Sequence, residues 1–342
     1  MRKAGLLFLF VLLALLVAAC GTKDEEEVVG ELSKRLENLQ SYKAKLDLVL
    51  ETGQEPHEFE VEVWHKKPDY YRVSLTHKER QLTQIILKNE DGVFVLTPHL
   101  NKSFRFQSSW PGNQPQVYLY ESLIKDILMD DNRKFTLDED QYVFDTVANY
   151  QNKNVQYQRI WLDKDLKPTQ VHLMDGDFNV LIKVLFHEVQ LDYAFEKDHF
   201  DLKRNMEQSR DGSNQAGDHE AEETLTDGKD GQKKRSLGAY YPTYVPPGVD
   251  LVEEKEVKRD GEARLVLRYD GEYRYSITQK HAQAEMVSMP EGEPVDLGYT
   301  VGVLAGQSLI WTYNGIDFWL TGDLPKEEMI AVARSIEGQT AK

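Results

Sequence analysis

Apolar residues change their spacing along this chain, and each change marks an element. Between Asp24 and Asn38 the residues Val29, Leu32, Leu36 and, just beyond, Leu39 recur at intervals of three and four with Glu and Lys between them. That pattern predicts one amphipathic helix. From Tyr42 the interval falls to two, through Ala44, Leu46, Leu48 and Leu50, so a strand begins there. Phe59, Val61 and Val63 continue the alternation, as do Tyr71, Val73 and Leu75. The run from Leu82 to Leu87 then turns at Glu90-Asp91-Gly92 into the run from Val93 to Leu96, which predicts antiparallel hairpins. Tyr118 to Met129 returns to helical spacing, with Leu123, Ile124, Ile127 and Leu128 as its stripe. Four more strands are expected over 142–147, 155–162, 169–174 and 180–192, the last two joined by Asp175-Gly176-Asp177.

Past Phe200 the character shifts. No aromatic residue occurs again before Tyr240, and Gly, Asp, Glu, Gln, Ser and Lys dominate, so 203–236 reads as a disordered acidic linker. A second unit of strands and turns follows over 237–342, closing on a helix that begins near Pro325 with Met329, Ile330, Ala333 and Ile336 on its apolar face. The expected layout is therefore a leader at 1–19, a short tether at 20–27, a large sheet with helices at 28–202, the linker, and a smaller α+β domain at 237–342. The two units are expected to fold separately.

The leader has its own logic. Arg2 and Lys3 precede sixteen uncharged residues, Ala4 to Ala19, and the run stops at Cys20-Gly21-Thr22. This is a signal-peptide layout. Sixteen residues fall short of the roughly 20 that a hydrocarbon core of about 30 Å requires, so a retained span is the weaker reading. Val17-Ala18-Ala19-Cys20 resembles the bacterial lipobox, in which small residues precede a cysteine that takes a diacylglyceryl group. An ordinary secretory leader with an incidental thiol is the bland alternative. On the lipobox reading Cys20 becomes the lipidated N-terminus, and two or more acyl chains anchor the protein in the bilayer. Anchoring by charge is not available: the chain of 342 residues carries 41 Lys and Arg against 58 Asp and Glu, a net −17. An acidic balance of that size is repelled by anionic lipid surfaces and by phosphate backbones, so nucleic acid is set aside as a partner.

Candidate chemistry is sparse. One cysteine supports neither a disulfide framework nor a cysteine-ligated metal site, and the nine histidines form no His-x-His or His-x-x-x-His pair. No metal or other cofactor is expected. Asp163-Lys164-Asp165 could open a calcium loop, but Pro168 and Met174 stand where that loop needs Gly and Glu, and a solvated hairpin turn fits better. No nucleophile elbow, phosphate loop or dinucleotide fingerprint is present, so no catalytic residue is assigned and the chain is not read as an enzyme.

Two segments nevertheless carry a family likeness. Trp64-His65-Lys66-Lys67-Pro68 through Arg72, followed by Asp91-Gly92 and Pro98, resembles the signature of the periplasmic lipoprotein carriers of the LolA family. Ile160-Trp161-Leu162-Asp163 with Pro168, then Asp175-Gly176, Phe186 and Phe200, resembles that family's ending. The resemblance covers about 28–202 and implies an incomplete antiparallel β-barrel wrapped round helices, with an apolar cavity for acyl chains. In that family an arginine before the proline fastens a helical lid; Lys67 occupies the position here, and an ammonium cannot reproduce the planar fork. Lys67, Leu123, Ile124, Ile127 and Leu128 are the candidate lid and cavity residues.

The two-unit arrangement is similar to the RseB group of envelope regulators, and the whole chain more closely resembles LolA-like sporulation and germination lipoproteins related to GerS. That resemblance implies a non-catalytic lipoprotein on the extracytoplasmic face of the cell membrane, binding or supporting an envelope protein partner. The alternative it leaves open is a carrier or sensor holding acyl chains in the barrel. A barrel packed shut by side chains favours the first reading, and an apolar void of several hundred Å³ the second.

Overall fold

The structure is a computed structural model that describes residues 23–51, 56–112, 116–150, 154–207, 239–259 and 261–336. The leader, Cys20 and positions 208–236 of the expected linker lie outside the described residues.

The chain opens with helix α1 (Glu25–Asn38). Asp24 caps it: its carboxylate accepts the Glu27 amide at 2.9 Å while Glu27 accepts the Asp24 amide at 3.3 Å, so two otherwise orphaned donors are satisfied at once. Six strands follow as a meander, β1 (Ser41–Leu50), β2 (His57–Lys66), β3 (Tyr70–His77), β4 (Thr83–Asn89), β5 (Gly92–Thr97) and β6 (Lys102–Gln107). Gly92 turns β4 into β5 at φ +133°, and a Cβ there would lie 2.9 Å from the Phe106 carbonyl oxygen, so only glycine fits. Helix α2 (Tyr120–Met129) precedes a second meander, β7 (Lys134–Asp138), β8 (Gln141–Val147), β9 (Tyr157–Leu162), β10 (Pro168–Met174) and β11 (Val180–Leu191). Strand β11 returns to pair with β1, with Tyr42 opposite Leu191.

The second unit contributes β12 (Val249–Arg259), β13 (Glu262–Gly271), β14 (Tyr275–His281), β15 (Met286–Glu291), β16 (Glu293–Asp296), β17 (Val301–Ala305), β18 (Ser308–Tyr313), β19 (Ile316–Gly322) and helix α3 (Lys326–Arg334). Asn314-Gly315, with φ of 48° and 72°, forms the two-residue turn between β18 and β19. Seven of these strands make one sheet, in the order β12-β13-β14-β19-β18-β17-β16. Its core centres on Trp311 and Phe318, stacked 5.0 Å apart.

Strand β15 leaves that sheet. It lies parallel to β6, with Val287 opposite Phe104, and completes a twelve-stranded sheet ordered β15-β6-β5-β4-β3-β2-β1-β11-β10-β9-β8-β7. The two outermost strands, β15 and β7, are not hydrogen-bonded to each other, so the barrel is incomplete. The protein is thus α+β, an incomplete antiparallel half-barrel wrapped round α1 and α2 with a smaller α+β unit against it.

One boundary is amended here. The first unit does not stop at 202: residues 202–207 are helical, Asn205 is buried, and its side-chain oxygen accepts Arg72 Nε at 2.6 Å. The polar composition of this stretch conceals that role, because the buried guanidinium of Arg72 needs a polar partner. The two units also share a core in the folded chain. Val301, Val303 and Ile310 of the second unit belong to the same continuous core as Leu46 and Val73 of the first.

Candidate functional site

Two places concentrate what this fold could use: the interior of the half-barrel and the seam between the two sheets. Period-two alternation turns Tyr42, Leu46, Val61 and Val73 toward the concave face, where they meet α2. On that helix Leu123, Ile124 and Ile127 are fully buried, and Leu128 packs partly buried against the same cluster. No side-chain cap holds the start of α2. Packing does so instead, since a large apolar side chain contributes roughly 1.5–3 kcal/mol when fully buried.

Lys67 is elsewhere. It is exposed at the end of β2, where its ammonium donates to the Glu37 carbonyl at 3.0 Å in the last turn of α1 and its amide donates to the Gln40 carbonyl at 2.8 Å. The structure therefore brings Leu123, Ile124, Ile127 and Leu128 together and leaves Lys67 apart from them, a single point contact on a helix terminus.

Buried polar groups flank α2. The Tyr42 hydroxyl donates to Glu121 at 2.7 Å, and burial together with that carboxylate holds the phenols of Tyr42 and Tyr71 well above their ordinary range. Burial pushes His65, whose ring lies tilted 4.5 Å from that of Tyr71, below the usual imidazole value. One turn along, Asp126 is buried and its pKa is pushed up to about 7, chiefly by loss of solvent and partly eased by the nearby Gln158 amide and Lys125. Gln158 stands opposite Thr146 across β8 and β9, and Asp126 also influences the buried Tyr150 phenol. Asp126 Oδ2 and the hydroxyls of Thr146 and Tyr150 have no hydrogen-bond partner among the described residues. Such a cluster is suited to internal water.

The seam is held by charge as well as by pairing. Lys102 and Asp317 are both fully buried, with Nζ 2.7 Å from Oδ2; Glu285 approaches the same ammonium at 2.9 Å, and the Thr312 hydroxyl donates to the other Asp317 oxygen at 2.7 Å. Gln84 on β4 accepts the Thr300 hydroxyl at 2.9 Å and the Val301 amide at 2.7 Å. Beside these contacts a cavity of about 260 Å³ opens between the mouth of the half-barrel and the second sheet. Its floor is Leu48, Leu50, Phe59 and Leu75, and Val301 and Tyr313 face them from the other unit.

With this geometry in hand, the comparisons decide the family. The family model described as sporulation protein YdcC-like matches residues 2–200, and a domain of unknown function, DUF4367, matches 239–336. The sporulation protein YdcC of Bacillus subtilis strain 168 is 43% identical over 348 residues, covering 100% of this chain and 99% of that protein. This chain belongs to the YdcC-like sporulation proteins. Solved structures similar to this YdcC-like chain include the Pseudomonas aeruginosa MucA/MucB complex, at 13% identity and a TM-score of 0.31 over 90% of this chain and 98% of the other. The CwlD amidase of Clostridioides difficile in complex with the GerS lipoprotein is another, at 17% identity and 0.30 over 52% and 98%. No helix among the described residues is long and apolar enough to cross a membrane.

The seam of this YdcC-like chain is what sequence reasoning missed. Lys102 and Asp317 lie 215 positions apart, each in an unremarkable strand, and only the paired burial gives them meaning. The one local signal was a charged residue at an inward position of each strand.

Proposed function

We propose that this YdcC-like protein is a non-catalytic lipoprotein tethered by acyl chains on Cys20 to the extracytoplasmic face of the membrane, where it supports an envelope protein partner during sporulation. The observation that carries the scaffold reading over the acyl-carrier reading is the filling of the concave face by α2. Where an acyl chain would lie, Leu123, Ile124 and Ile127 are packed with no exposed surface. An apolar ridge at the β7 end of the half-barrel offers the partner a surface. Met129 and Val147 are 75% and 59% exposed, and Phe178, 64% exposed, stacks 4.5 Å from Tyr157, which pairs with Val147.

The test combines anchoring with partner capture. Cys20→Ala is expected to abolish palmitate labelling and detergent-phase partitioning and to lower sporulation. Met129→Glu with Phe178→Asp is expected to leave labelling intact and remove crosslinking to one envelope protein. Stoichiometric uptake of a long-chain acyl probe by the wild-type protein, lost on filling the barrel further, refutes the scaffold reading.

A further inference from the structure

Going beyond the anchoring and partner reading, we propose that the cavity at the seam is a binding site for a small amphipathic carboxylate, one with an aromatic or branched aliphatic body. Four observations converge on that class. The first is size: about 260 Å³ holds roughly nine groups at about 30 Å³ each, far fewer than a sixteen-carbon acyl chain requires. The second is the wall, where Leu48, Leu50, Phe59 and Leu75 present a continuous apolar floor. The third is an unmet hydrogen bond: Thr97 lines the cavity, is 3% exposed, and its hydroxyl has no partner within the described residues. A buried hydroxyl left so is destabilising unless a ligand or water completes it.

The fourth is charge. Arg80 lines the same cavity with its guanidinium 5.1 Å over the Tyr313 ring, and it makes no ion pair among the described residues. The acidic lining residue, Asp296, spends one carboxylate oxygen on the Gly298 amide at 2.8 Å. A planar guanidinium beside an apolar slot selects a carboxylate, through two parallel N–H donors, over a neutral isostere. Because floor and roof come from different units, an occupant bridges them. Occupancy therefore favours the docked arrangement of the two sheets.

The experiment uses the full-length protein in nanodiscs, with empty nanodiscs as the blank, and reads ligand-observed NMR with phenylacetate and its neutral isostere phenylacetamide. Saturable binding is expected, with phenylacetate at least tenfold tighter. Arg80→Gln should erase that preference without altering the thermal midpoint, because Arg80 is not a core residue. Thr97→Val should weaken both ligands several-fold, and Leu82→Trp, at the half-exposed rim, should block both. Absence of saturable phenylacetate binding, a preference that survives Arg80→Gln, or stoichiometric competition by palmitate overturns the proposal. Arg80→Gln alone decides if Thr97→Val fails to fold. Anchoring and partner capture do not enter this readout, so the two proposals fail separately.

Discussion

Replacing Asp126 by Asn should make the stability of this protein much less dependent on pH. The carboxyl group lies in the core beside Gln158, and its pKa stands near 7 against an ordinary 3.8. A raised folded-state value means that the native protein holds a proton the unfolded chain has released. The associated stability is fully present below about pH 4 and is lost as pH rises through 7. With one pKa unit equivalent to about 1.4 kcal/mol, linkage for this one group between the folded and unfolded states gives roughly 2.5 kcal/mol lost between pH 5 and pH 8. Asn keeps the shape and cannot ionise. The assay is urea unfolding of wild type and Asp126→Asn at half-unit pH steps, taking the difference at each pH so that other groups, such as the depressed His65, cancel. The variant should gain on wild type steadily from pH 5 to about pH 7.5 and then run parallel to it. A difference that is flat across this window would refute the claim that the carboxyl is buried without adequate partners.

Two other substitutions separate packing from surface contact. Lys102→Met leaves Asp317 charged and buried at the seam, so it should cost about 3–5 kcal/mol in a denaturant titration; an equal-stability variant would show that water reaches Asp317 in solution. Leu123→Ala should cost about 2–5 kcal/mol, whereas Lys67→Ala, which loses one exposed contact at the end of α1, should cost about 0.3–1 kcal/mol by thermal unfolding. A larger loss from Lys67→Ala than from Leu123→Ala would restore the latch.

Much of the half-barrel could be read from the chain because its signals are local. The three-and-four spacing from Val29 to Leu39 announces α1, the alternation from Tyr42 to Leu50 announces a strand buried on one face, and the stripe from Leu123 to Leu128 announces α2. The segment from Trp64 to Pro98 adds the family resemblance. What escaped depends on contacts far apart in sequence. Strand β15 is six residues that include Pro290, and only Val287 and Met289 turn toward the core, too few for periodicity to register. Its partner β6 places Lys102 on the same face as Phe104 and Phe106, and that inward charge has no meaning until Asp317 is placed beside it. Trp161 shows the opposite limit: a large aromatic residue within strand β9, it is only half-buried and packs edge-on to His172. The cavity was invisible for the same reason as β15, being made of floor and roof that no local window contains.

The parallel pairing of β15 with β6 also sets an order of assembly. A ribosome releases β6 some 180 residues before it releases β15, and in that interval the edge of the large sheet presents free N–H and C=O groups. Until the second unit arrives, that edge is open to any extended strand, including one from another copy. Strand β15 thus acts as an edge protector delivered in cis. A chain that ends before Met286 would lack the protector and carry a hydrogen-bonding edge ready to template aggregation.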